Sequence, residues 1–146
     1  MNRIVNRGSA PGRRIGGFTL VELLIAMMVI AVLASVAFPS FMQSVRKSKR
    51  SDATTMMTQA AGNLERFFAA NGTYTTVLND IGMDAVSDKG YYKLVIQAGP
   101  TGIASSYIIT AKAMAGTMQS KDTGCTALQI DSLGVQTPDP ATSDCW

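Results

Sequence analysis

Glu22 is the residue whose position demands a chemical explanation. It stands in Gly16-Gly17-Phe18-Thr19-Leu20-Val21-Glu22, near the start of an apolar run that reaches Phe38. A charge near the middle of a membrane span costs about 2.5–3.5 kcal/mol on insertion scales, so such a residue is read first as functional. Arg3, Arg7, Arg13 and Arg14 precede the run, and the small pair Gly16-Gly17 is a place for a peptidase to cut. The bland alternative is an ordinary signal anchor with an incidental acid. Elsewhere the chain offers little chemistry. It has no histidine, hence no Ser/His or Cys/His pair, and no phosphate-binding glycine loop. Asp122, Asp131, Asp139 and Asp144 do not form the tight alternating loop that holds calcium. The expectation is a protein without catalysis, metal or cofactor.

The apparent basicity belongs to the leader. The formal net charge is +3, but residues 1–17 carry four of the thirteen basic residues and none of the ten acids. Without them nine basic residues face ten acidic ones, and the case for nucleic acid as a partner is weak. Phe18–Phe38 is all apolar or small except Thr19, Glu22 and Ser35. At 1.5 Å per residue it is roughly 32 Å long, enough to cross a bilayer. The cut precedes the run, so the run survives as a retained anchor. Arg46, Lys47, Lys49 and Arg50 balance the leader's arginines across the span, so charge counting alone does not orient it.

The elements that position Glu22 follow from periodicity. Phe41, Val45, Ala53, Met57, Ala60, Leu64, Phe67 and Phe68 recur at mostly three, four and seven residues, predicting one helix from about Phe18 to about Ala70. Asn71-Gly72 stops it, and this reading is preferred to the glycosylation pattern formed with Thr73. Pro39 removes a backbone donor inside this helix, so a kink or local break is expected there. A short turn is expected around Leu78–Ile81. Tyr91–Ala98 and Tyr107–Ala113 are strand candidates separated by Gly99-Pro100-Thr101-Gly102; Thr126–Ile130 is a third, followed by a turn into Val135–Thr137. The division is a leader at 1–17, a membrane or filament-core half-helix at 18–39, and an amphipathic half-helix with a globular head at 40–146. The fold class is α+β: a long N-terminal helix on a small antiparallel sheet.

Gly17-Phe-Thr-Leu-Val-Glu-Leu-Leu-Ile-Ala26 resembles the signal of type IV prepilins and their pseudopilin relatives. The resemblance extends through Arg50-Ser51-Asp52-Ala53, Asn63–Phe68, Asn71–Thr75, Tyr91–Leu94, Tyr107–Ala111, Cys125–Leu128, Asp131–Gly134 and Asp144-Cys145-Trp146, and is nearest to PilE-like minor pilins. It implies cleavage between Gly17 and Phe18 by a prepilin peptidase that also N-methylates Phe18. Storage in the inner membrane with the head in the periplasm, handling by an assembly platform and incorporation with other pilin subunits into an extracellular filament are further implications. Glu22 then pairs with the Phe18 amine of a neighbouring subunit. Ala31 stands where many pilins have glycine, leaving Pro39 as the main helix breaker.

With the head outside the cytoplasm, Cys125 and Cys145 most simply form one disulfide; two free buried thiols are the alternative. The cluster Arg46–Arg50 reads as a solvated collar at the outer headgroups, or as a contact for an acidic neighbour. The functional expectation is a minor pilin that helps initiate a type IV pilus or is incorporated into it, serving attachment, twitching motility or DNA uptake. The alternatives are a major pilin, a type II secretion pseudopilin and a DNA-binding competence pilin.

Overall fold

The structure, a computed structural model, describes residues 17–138 and 140–146. The leader residues before Gly17, including the four arginines, lie outside the described residues, as does Asp139. The chain divides into two units, up to Phe38 and from Pro39 onward.

Helix α1, Leu20–Asn71, contributes to both units. It begins two residues later than periodicity suggested because Thr19 is its cap: the Thr19 Oγ1 accepts a hydrogen bond from the Glu22 N–H at 3.2 Å. At the far end Gly72 adopts φ +70°, and its N–H bonds the Phe68 carbonyl at 2.8 Å, closing the last turn. Pro39 lies inside α1 rather than ending it. In the first unit every side chain of residues 17–38 is exposed, and the helix there is long and apolar enough to cross a membrane.

The second unit sets α1 against a four-stranded antiparallel meander in the order β1-β2-β3-β4. The strands are β1 (Tyr92–Ala98), β2 (Tyr107–Ala113), β3 (Ala127–Asp131) and β4 (Gln136–Thr137). Alternation fixes which face is buried: Tyr92, Leu94 and Ile96 point inward while Lys93, Val95 and Gln97 point out. The register aligns Leu94, Ala111 and Leu128 in one inward row, and Ile96, Ile109 and Ile130 in the next. These rows join Ala53, Met57, Ala60 and Leu64 of α1 in a single core. Each large aliphatic side chain so buried contributes about 1.5–3 kcal/mol. Phe41, expected on the same stripe, is 65% exposed and takes no part in it. Two short 3-10 turns complete the unit, η1 (Leu78–Ile81), where a turn was expected, and η2 (Met118–Lys121), which was not foreseen.

Candidate functional site

The N-terminal motif lies at the start of α1. Gly17 and Phe18 precede the helix, Thr19 caps it, and Phe18 is 84% exposed. Thr19 and Glu22 have the spacing of a capping box, but only half of the box forms. The Glu22 N–H reaches Thr19, whereas no donor reaches the Glu22 carboxylate among the described residues. An acid in the first helical turn is favoured by the helix dipole. That local effect leaves the carboxylate free for a cation from elsewhere.

The head holds a second constellation, around the cysteines. Cys125 and Cys145 are bonded to each other, closing the loop that separates them by 20 residues, and both are buried. Beside them Arg50 and Asp122 meet in a buried two-point ion pair. Arg50 also donates to the Asp144 carbonyl, so α1 holds both ends of the disulfide loop. Gln119, fully buried on η2, donates to the Tyr92 hydroxyl at 2.7 Å and to the Arg46 carbonyl at 3.2 Å. The hydrogen bond from Arg50 to Asp122 raises the Arg50 pKa further, outweighing the opposing effect of burial. On the Tyr92 hydroxyl burial acts in the other direction and pushes its pKa up.

The basic cluster is therefore not a uniformly solvated collar. Arg50 points into the head, Lys47 pairs with Asp144, and Lys49 sits over the Tyr91 ring, 4.2 Å from its centroid, while its Nζ donates to the Tyr91 hydroxyl at 2.6 Å. Lys47 also lowers the Asp144 pKa. Part of the acidic contact sought on a neighbour is supplied by the chain's own tail. Three of the four acids have other uses: Asp122 and Asp144 bind cations of α1, and Asp131 accepts the N–H groups of Leu133 and Val135 in the turn before β4. Among the described residues no group of three or more metal-ligating side chains is placed to hold an ion.

Sequence reasoning missed Arg50, Asp122 and Gln119 as a unit. A signal for Arg50 was present, since it falls in phase with Ala53, Met57, Ala60 and Leu64 on the buried stripe. Nothing local marks Asp122 as its partner, 72 residues away.

The outer sheet face has one unusual pair. Lys93 and Lys112 are direct cross-strand neighbours, both exposed, and neither forms an ion pair among the described residues. Like charges in this arrangement oppose strand pairing.

A family model described as "Type IV minor pilin ComP, DNA uptake sequence receptor" matches residues 39–129, and a prokaryotic N-terminal methylation motif matches residues 12–38. The type IV major pilin protein PilA of Myxococcus xanthus is 33% identical over 84 residues, 57% of this chain and 38% of the relative. The fimbrial protein EcpC of Eikenella corrodens is 27% identical over 92 residues, 62% of this chain and 60% of the relative. The type IV wide pilus major component PilA4 of Thermus thermophilus is 28% identical over 109 residues, 73% of this chain and 79% of the relative. The chain thus spans less than two thirds of the length of the first two relatives. The methylation motif ahead of a capped apolar helix, the α+β head and the match over most of that head lead to one conclusion: this chain belongs to the type IV pilins, in the family of the type IV minor pilin ComP.

Proposed function

We propose that the chain is a structural subunit of a type IV pilus, a minor pilin that helps initiate the filament or is built into it. It is made as a prepilin and cut between Gly17 and Phe18, and the new Phe18 amine is methylated. The segment 18–39 holds it in the inner membrane with the head in the periplasm until an assembly platform moves it into the extracellular filament. Pro39 is the point where α1 bends to fit among its neighbours. The role is structural, and no catalytic step is assigned to it.

The observation that carries this reading is the free Glu22 carboxylate on an apolar half-helix with no cover of its own. Packed helices of other subunits cover the apolar surface, and the Phe18 ammonium of a neighbour neutralises Glu22. Two unit charges about 4 Å apart at an effective dielectric near 20 attract by about 4 kcal/mol before desolvation. A subunit out of register leaves both charges stranded, so the pair selects the axial position of the incoming chain. The test combines the mass of the mature N-terminal peptide with the behaviour of Glu22→Ala. A peptide beginning at methylated Phe18, and a variant that inserts in the membrane yet fails to enter pili, are the supporting results. Normal incorporation of Glu22→Ala overturns the pairing.

A second reading, direct DNA binding by the head, is favoured by Lys93 and Lys112. Their mutual repulsion is relieved by an anion bridging them, and a phosphate backbone supplies one. The family description names a DNA uptake sequence receptor. Under this reading Lys93→Glu with Lys112→Glu weakens DNA binding and flattens its salt dependence while leaving incorporation intact. Salt-insensitive binding, or binding unchanged by the double variant, rejects it. Abundance separates both readings from a major pilin.

A further inference from the structure

A groove of about 590 Å³ runs between a flank of α1 and the segment Gly82–Asp88. Asp52 lines it from the helix, and Asp84 and Asp88 line it from the opposite segment. Asp52 is only 7% exposed, and its Oδ2 is buried with no hydrogen-bond donor among the described residues. Arg50 is engaged by Asp122 and does not serve Asp52. Asp84 and Asp88 form no ion pair among the described residues. The one cation in the lining, Arg66, donates to Asn63 instead.

A nearly buried carboxylate without a donor is costly, and an external cation is one way to relieve it. The groove has the volume of a small-ligand site, large enough for a whole side chain. Its other polar walls, including Gln59, suit a group with several N–H donors in a plane. A guanidinium meets that requirement better than an ammonium, because its fork engages a carboxylate at two points.

We propose that this groove is a docking socket for a basic side chain, arginine by preference, presented by an adjacent pilin subunit. This inference rests on the filament-subunit reading above, and it adds a polar contact between heads to the one at Glu22. The Asp52 carboxylate turns about its Cβ–Cγ bond to meet the incoming cation, while Asp84 and Asp88 attract it at the rim. Correct and incorrect neighbours then differ by a stranded buried charge, which is a basis for partner choice.

The experiment places a photoreactive benzoylphenylalanine at Gln59, an exposed residue of the groove lining, in the full-length chain assembled in cells. Irradiated, sheared pili are expected to yield a cross-link to another pilin through a peptide containing arginine or lysine. Asp52→Asn, and separately Asp84→Asn with Asp88→Asn, should lower that yield by about tenfold. The amount of disulfide-closed subunit in the membrane should be unchanged, which separates loss of docking from loss of folding. Incorporation without a pilin cross-link, a cross-linked peptide lacking a basic residue, or a yield unaffected by Asp52→Asn overturns the socket and leaves the filament reading standing. Absence of the wild-type subunit from sheared pili contradicts both.

Discussion

Arg50 Nε lies 2.7 Å from one carboxylate oxygen of Asp122, and Arg50 Nη2 lies 2.9 Å from the other, with both side chains almost fully buried. The pair joins the middle of α1 to the segment just before Cys125. A third bond, to the Asp144 carbonyl, joins the same guanidinium to the segment just before Cys145. One side chain thus holds both ends of the disulfide loop against the helix.

Removing one partner strands the other. Arg50→Met or Asp122→Asn should each cost about 3–5 kcal/mol, whereas Arg50→Met with Asp122→Leu should recover much of the loss because no buried charge remains. Trp146, the sole tryptophan, is partly buried against the core, and its indole N–H donates to the Pro138 carbonyl at 2.7 Å. Its fluorescence during urea unfolding of the mature chain in detergent micelles reads these differences.

The disulfide closes the same region. Loss of the bridge in Cys125→Ser with Cys145→Ser should cost about 3 kcal/mol by the chain-entropy model. Because Asp122 and Asp144 flank the cysteines closely in sequence, combining this change with Arg50→Met should depart from additivity by about 0.5–3 kcal/mol. Urea midpoints of the two variants and their combination give the coupling.

Base should destabilise the head through Tyr107. Burial, reinforced by Glu65 accepting its hydroxyl at 3.2 Å, raises the Tyr107 pKa above its ordinary value of 10.0. Tyr74 hydrogen-bonds the same carboxylate and shifts in the same direction. The folded state therefore holds these protons more tightly than the unfolded chain. The stability this contributes is complete below pH 10.0 and falls as pH rises beyond it. Thermal melts at increasing pH should show the fall, and Tyr107→Phe should reduce its slope while costing about 1 kcal/mol at neutral pH.

Gly99 marks the tight turn between β1 and β2. A Cβ there would stand 2.4 Å from Ser106 Oγ and 2.7 Å from Ser106 Cβ. Gly99→Ala should cost about 1–3 kcal/mol through this overlap, since the Gly99 N–H to Ser106 carbonyl bond at 3.0 Å keeps the two segments close. The urea midpoint again provides the check.

The strands and η1 were legible because their signals are local. Alternation in Tyr92–Ala98 and Tyr107–Ala113, with the glycine-rich turn between them, left one arrangement for the hairpin. The N-terminal motif was legible for a similar reason, since its residues lie within one short segment. The polar clamp was not, because Arg50 and Asp122 are 72 residues apart and each is unremarkable among its own neighbours. Asp52 illustrates the same limit: it is nearly buried on a flank of α1 that lines a groove with residues of the Gly82–Asp88 segment, which the helical pattern alone does not show. Phe41 shows the opposite error, in phase with the stripe yet outside the core.

The most direct test of the functional proposal is the stoichiometry of this protein in sheared, purified pili, measured against the principal subunit. A chain present in the pili, far below the principal subunit in copy number and beginning at methylated Phe18, is the predicted result. Its absence from the pili, or its presence as the principal subunit, would contradict the proposal.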